Sequence, residues 1–228
     1  MTKPALDEVL RRLDTAARQA RQPLPRLLAV SKTQSGEAVA ELARAGQQAF
    51  GENYVQEAVA KRARLQALGL ALEWHLIGHL QTNKAREAAD AFDWVQTVDR
   101  LRVVEALTRH RDPARGALQV LIQVNVDDEA SKHGCRPEEV DALADAIAVH
   151  PVLQLRGLMV IPTPHPDPEA RRPAFRRTRE LFEALRAGHT GIDTLSMGMS
   201  DDADIAIAEG ATMVRIGTAL FGRRESRA

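Results

Sequence analysis

Leu27-Leu28-Ala29-Val30-Ser31-Lys32-Thr33 is a run of four apolar residues that ends in an amine. With Gln34, Ser35 and Gly36 behind it, the stretch reads as a buried strand delivering Lys32 to its carboxyl end. Burial disfavours the ammonium form of lysine. The neutral amine that results is a nucleophile suited to a Schiff base with an aldehyde or ketone. The alternative is a lysine that only marks where a strand leaves the core for solvent. The surrounding chain decides between them.

Outward from this stretch, one pattern repeats: a short apolar or β-branched run, a polar turn, then a longer amphipathic segment. The predicted strands after the first are 48–52, 73–78, 94–98, 118–126, 154–160, 194–197 and 212–216. Helices follow them, with Gly69 past the end of one and Pro137 at the start of another. Asp99 is placed to cap the helix that runs through His110, and Ser200 to cap one at 201–208. Upstream, Pro4 to Arg21 reads as a leading helix with Leu6, Val9, Leu10, Leu13 and Ala17 on one face, stopped by Gln22-Pro23-Leu24-Pro25. Eight strand-then-helix units predict an α/β fold, a single (β/α)₈ TIM barrel with an extra N-terminal helix, as one domain over residues 1–228. An open doubly wound sheet is the rival architecture, but no Gly-x-Gly-x-x-Gly follows the first strand. In a barrel the chemistry sits at the carboxyl ends of the strands, which is where Lys32 falls.

Composition narrows the function. Thirty-one basic residues balance 31 acidic ones, so no net field recruits nucleic acid or an anionic membrane, and 4% aromatic content offers few stacking platforms. No signal-peptide core or long apolar span is present, so no membrane association is expected. The single cysteine, Cys135, excludes an internal disulfide and no Cys/His cluster has zinc spacing, which predicts no metal and a reducing, cytoplasmic setting.

The last two strand ends read Ser196-Met197-Gly198-Met199-Ser200-Asp201 and Arg215-Ile216-Gly217-Thr218. Barrels bind phosphate in these loops, and Ser200, Gly217 and Thr218 supply hydroxyls and close backbone approach. Equally, Ser200 caps its own helix and Gly217 serves a tight turn. An amine and a phosphate cradle on one rim suit a phosphorylated aldehyde, of which pyridoxal phosphate is one. Its ring nitrogen needs a partner, and Arg215 leaves the eighth strand between cradle and barrel centre. An arginine only donates, keeping that nitrogen unprotonated and the ring a weak electron sink. A rim salt bridge is the plainer role for Arg215.

Taken together, Ala29-Val30-Ser31-Lys32-Thr33, Phe50-Gly51-Glu52-Asn53-Tyr54-Val55-Gln56-Glu57, the stretch from Glu73 to Lys84, Ser196 to Asp201 and Val214 to Gly222 resemble the pyridoxal phosphate homeostasis proteins, relatives of the barrel domain of alanine racemase. The resemblance implies pyridoxal 5'-phosphate held covalently as a Schiff base on Lys32. It also implies Arg215 facing the ring nitrogen and Ser200, Gly217 and Thr218 on the phosphate. Lys132, in Ser131-Lys132-His133-Gly134, falls where the racemase barrel has a basic residue near the ring hydroxyl. Asn53 is either a rim contact or a helix cap. His75 and His79 read as packing or substrate-side residues, and Tyr54 as helix packing.

Alanine racemase pairs its lysine with a tyrosine from an additional C-terminal domain, contributed across a dimer. Here only Arg223 to Ala228 follow Gly222, and Tyr54 is the one tyrosine. The expectation is therefore a carrier that takes part in vitamin B6 balance, not an enzyme. It is expected to be a monomer, with pyridoxal-phosphate-dependent apoenzymes as transient acceptors. The rival expectations are an amino-acid racemase and a lysine Schiff-base aldolase acting on a sugar phosphate.

Overall fold

In the computed structural model, which describes residues 2–129 and 132–222, the chain opens with α1 (Thr2–Ala20) and then alternates strand and helix eight times. These are β1 (Arg26–Val30), α2 (Gly36–Arg44), β2 (Ala49–Glu52), α3 (Val55–Ala67), β3 (Glu73–Leu76), α4 (Ala85–Ala91), β4 (Trp94–Val98) and α5 (Leu101–His110), followed by β5 (Leu118–Val124), α6 (Val140–Ala148), β6 (Leu153–Val160), α7 (Arg172–Gly188), β7 (Thr194–Ser196), α8 (Ala203–Ala208), β8 (Met213–Ile216) and α9 (Thr218–Phe221). Ser131 and Arg223 to Ala228 lie outside the described residues.

All strands are parallel and pair in sequence order, and β8 returns to β1 through Leu27↔Val214 and Leu28↔Arg215, closing the barrel. The apolar runs demand this arrangement. Every residue of β4 and β8 is buried, so each strand needs cover on both faces: helices outside, and the opposing strands across the lumen. Period-two alternation sorts the inward set. It contains the cluster Leu28, Ala49 and Met213, the cluster Trp94, Leu121 and Met159, and a polar group of His75, Gln96, Ser196 and Arg215. Gln96 on β4 bonds Ser196 on β7; these strands are not neighbours, so the contact crosses the lumen. Where β5 meets β6 the register shifts between Val120 and Leu121, opposite Gly157. Gly157 has φ +143°, and a Cβ there would lie 2.1 Å from the Thr194 carbonyl oxygen, so this bulge admits only glycine.

α1 lies outside the repeat and packs against α8, α9 and α2. Its buried face is Leu6, Val9, Leu13, Ala16 and Ala17; Leu10, read as part of that face, is exposed. Each large buried side chain contributes about 1.5–3 kcal/mol, which fixes the helix and with it Arg12.

Three local expectations are corrected. Asp99 does not cap α5: the helix begins at Leu101 after Arg100 with no side-chain cap, and Asp99 instead accepts from the Arg100 guanidinium. Ser200 does not cap α8, which starts at Ala203, because the buried Asp202 carboxylate takes the Met199 N–H (2.6 Å) and holds residues 199–202 as a loop. Tyr54 is exposed rather than packed in a helix interface, and it precedes α3 without a side-chain cap.

Candidate functional site

Two residues past β1, Lys32 sits half-buried in a turn whose next residue, Thr33, has φ +64°. A β-branched residue in the left-handed region costs about 1–3 kcal/mol and persists only where its surroundings hold it. They do so here. Ser31 Oγ donates to Glu52 Oε1 (2.6 Å) and the Thr33 N–H to Glu57 Oε1 (2.6 Å). Lys61 Nζ donates to the Ser31 carbonyl (2.6 Å), Glu52 Oε1 (2.8 Å) and Glu57 Oε1 (2.7 Å). Glu52 closes β2 and is fully buried; Lys61 projects from α3. Desolvation raises the Glu52 pKa, against the lowering effect of its hydrogen bonds to Lys61 and Ser31. Among the described residues its Oε2 has no hydrogen-bond partner.

Above this turn a cleft of about 690 Å³ opens at the carboxyl ends of the strands. Lys32, Asn53, Ser200, Arg215, Gly217 and Thr218 all line it, with Val30, Ile77, Ile161 and Met199 as apolar wall. Six of the seven sequence-predicted site residues are thus brought together. Asn53 is on the rim and is not the cap of α3, whose capping position is Tyr54. Gly217 lines the cleft and serves a turn. It opens α9, accepting the Leu220 N–H (2.9 Å), and a Cβ there would come within 3.2 Å of the Val30 carbonyl oxygen.

Lys132 is the exception. Its Nζ donates to Thr163 Oγ1 (2.8 Å) and pairs with Glu129 (3.2 Å) and Asp127 (3.6 Å), and it is not among the cleft-lining residues.

Arg215 lines the cleft and is buried. Burial lowers its pKa to about 10, which leaves it cationic at neutral pH. Nη2 donates to the Val160 carbonyl (2.7 Å) and Nη1 to Ser196 Oγ (2.8 Å). Ser196 in turn donates to Gln96 Oε1 (2.7 Å), and Gln96 Nε2 donates to His75 Nδ1 (2.9 Å). His75 Nε2 bonds Glu73, which pairs with Arg26 (2.8 Å) at the amino-terminal mouth. Desolvation lowers the pKa of His75, so the ring is neutral and, with Nδ1 accepting, carries its proton on Nε2. Against the raising effect of burial, hydrogen bonds from His75 and Arg26 hold the Glu73 pKa down at about 2. His75 is therefore a positioning residue reached from the cleft only through Gln96 and Ser196.

Sequence reasoning missed three supports of the cleft. Arg12 of α1 lines it, donates to the Ser200 carbonyl (2.7 Å) and pairs with Asp204 (3.1 Å). Asp202 is buried between the Met199 N–H and Arg171 Nη1 (2.6 Å). The Glu52–Lys61 pair is the third. Its signal was visible as a carboxylate ending the otherwise apolar strand Ala49-Phe50-Gly51-Glu52.

The sequence profile of the alanine racemase N-terminal domain family matches residues 5–225. The pyridoxal phosphate homeostasis protein of Pseudomonas aeruginosa is 53% identical over 199 residues, 87% of this chain and 84% of that protein. PipY of Synechococcus elongatus, solved without pyridoxal phosphate, superposes with a TM-score of 0.87 at 36% identity, covering 97% of this chain and all of PipY. PipY with pyridoxal phosphate bound gives 0.80 at 37% identity, covering 91% and 98%. An alanine racemase from Corynebacterium glutamicum, 20% identical with a TM-score of 0.64 and spanning 95% of this chain and 63% of the racemase, shares the fold.

Proposed function

Because the chain belongs to the pyridoxal phosphate homeostasis protein family, we propose that it holds pyridoxal 5'-phosphate reversibly through a Schiff base on Lys32 and works as a carrier in vitamin B6 balance. The observation that carries this reading is the meeting of one strand-end amine, one buried arginine and two hydroxyl-bearing loops on a single cleft. The residues present fit the group. The cleft has room for a substituted pyridine, part of its wall is apolar (Val30, Ile77, Ile161 and Met199), and Gly217 lets the backbone approach closely.

Pyridoxal phosphate supplies an electrophilic aldehyde and, with its ring nitrogen protonated, an electron sink. The chain's own groups divide the binding. Lys32 Nζ takes the aldehyde carbon, Ser200, Thr218 and the backbone at Gly217 take the phosphate, and Asn53 borders the rim. Arg215 donates to the ring nitrogen and keeps it unprotonated, which weakens the sink. Lys132, held by Asp127, Glu129 and Thr163 outside the cleft lining, is given no part in this division.

This distribution favours holding over turnover. Tyr54, the chain's one tyrosine, is exposed and outside the cleft lining, so it is not placed as a second acid/base opposite Lys32. The proposal extends to a monomer in a reducing cytoplasm, matching its one buried thiol at Cys135, with apoenzymes as transient acceptors.

The test is the visible spectrum of the purified chain before and after borohydride reduction, followed by peptide mass mapping. A yellow band trapped as a pyridoxyl group on Lys32, absent from Lys32→Ala, is the expected result. An adduct on another lysine refutes the assignment, and a colourless protein that cannot be loaded points to a sugar-phosphate aldolase. Racemisation of alanine clearly above that of free cofactor refutes the carrier reading.

A further inference from the structure

On the same rim, outside the cleft lining, His79, Asp99 and His133 come together from three segments: the loop after β3, the residue after β4, and the loop after β5. The two imidazoles stack with centroids 3.8 Å apart and planes 15° from parallel. His79 Nδ1 lies 3.7 Å from Asp99 Oδ2, and one ligand atom from each of the three residues falls within 4.8 Å of the others. Among the described residues no other group of three does this.

We propose that His79, Asp99 and His133 form a binding site for a divalent transition-metal ion of the zinc class. Two imidazole nitrogens and one carboxylate oxygen are a borderline donor set, suited to zinc, cobalt, nickel or copper; calcium and magnesium want oxygen cages. Three protein ligands leave a coordination position for water. Both histidines are exposed, so an ion enters without opening the fold.

A neighbouring group prepares one of the ligands. Arg100 engages Asp99 Oδ1, which orients Oδ2 toward His79, as an outer-shell partner does in metal sites. The bound ion would also join the β3 and β4 strand ends to the β5–α6 loop. That loop also pairs Lys132 with Asp127 and Glu129.

The test uses the full chain after chelator treatment, titrated with Co²⁺ while its visible d–d absorption is followed, then with Zn²⁺. We expect one Co²⁺ per chain, displaced by Zn²⁺, and a rise in melting temperature with either ion. His79→Ala and His133→Ala, both surface changes, should each weaken Co²⁺ binding at least about tenfold and abolish the melting shift. Asp99→Asn should weaken binding as well. His150→Ala, outside the trio, should leave it unchanged. No cobalt spectrum at submillimolar ion overturns the proposal. Unchanged binding in His133→Ala also overturns it, by placing the ion on other histidines.

Discussion

Two buried polar networks meet the cleft from below, and they are built on opposite plans. Under Lys32 the charges are packed together: the Lys61 ammonium bonds Glu52, Glu57 and the Ser31 carbonyl, and each carboxylate also takes a donor from the Ser31–Thr33 turn. Behind Arg215 the charges are kept apart. A cation at the cleft and an ion pair at the far mouth are joined by the neutral groups Ser196, Gln96 and His75. The compact network fixes where a backbone goes, since Thr33 would relax from φ +64° without it. The extended one fixes which way a side chain faces, since each donor in the row dictates the orientation of the next acceptor.

The sharpest way to break the comparison is Lys61→Met. It leaves Glu52 buried, already short of one hydrogen-bond partner, with no counter-charge. Removing one member of a buried pair costs about 3–5 kcal/mol, so chemical denaturation should show a loss of that size. Release of the Thr33 turn should also lower cofactor retention. Glu52→Gln with Lys61→Met should recover part of the stability, because no buried charge is then orphaned. A double variant as unstable as the single one would show that the pair acts by packing alone.

Gln96→Leu tests the extended network. Ser196 and His75 both lose a partner, and we expect a cost of about 2–3 kcal/mol together with weaker cofactor retention. The compact network predicts no change at Lys32 itself, so borohydride trapping on Lys32 should survive. If retention is unaffected, Ser196 and the Val160 carbonyl hold Arg215 without help from Gln96.

The extended network also predicts a pH dependence. The folded pKa of Glu73, about 2, lies below the 4.5 of a free glutamate, so its contribution is present above pH 4.5 and is lost as pH falls toward 2. Thermal melts over that window should show about 1–3 kcal/mol less decline in Glu73→Gln than in the parent chain. Glu52 has the opposite sign: its raised pKa favours the folded state at low pH and penalises it as pH rises. Equal acid sensitivity of the parent and Glu73→Gln would remove Glu73 from the account.

What the sequence made legible follows the same division. Strand periodicity exposed the barrel, and a polar residue at the end of an apolar run pointed to Lys32 and Arg215, because strand ends are local features. The loops with Ser200, Gly217 and Thr218 were legible through glycine and hydroxyl spacing, although Asp202 moved the start of α8 past the expected cap. The supports were illegible because they join distant segments. Arg12 sits on the polar face of α1 and reads as solvent-facing until α8 packs beside it and presents Asp204. Glu52 shows in the sequence as a carboxylate closing an apolar strand, but its pairing with Lys61 exists only once α3 folds onto β2.

The smallest expected effect is at Tyr54, where the two plans of the site touch the question of turnover. Its side chain is exposed, makes no capping bond and lies outside the cleft lining. Tyr54→Phe removes only the hydroxyl, and we expect stability within about 0.5 kcal/mol of the parent and unchanged cofactor retention. The proposed carrier uses Lys32 and Arg215 and is indifferent to this hydroxyl. A racemase needs an acid/base facing Lys32, and the chain has no other tyrosine to offer. If the parent showed racemisation that Tyr54→Phe abolished, the rim around Asn53 and Tyr54 would have to close over the cleft, and the open arrangement described here would be one of two states.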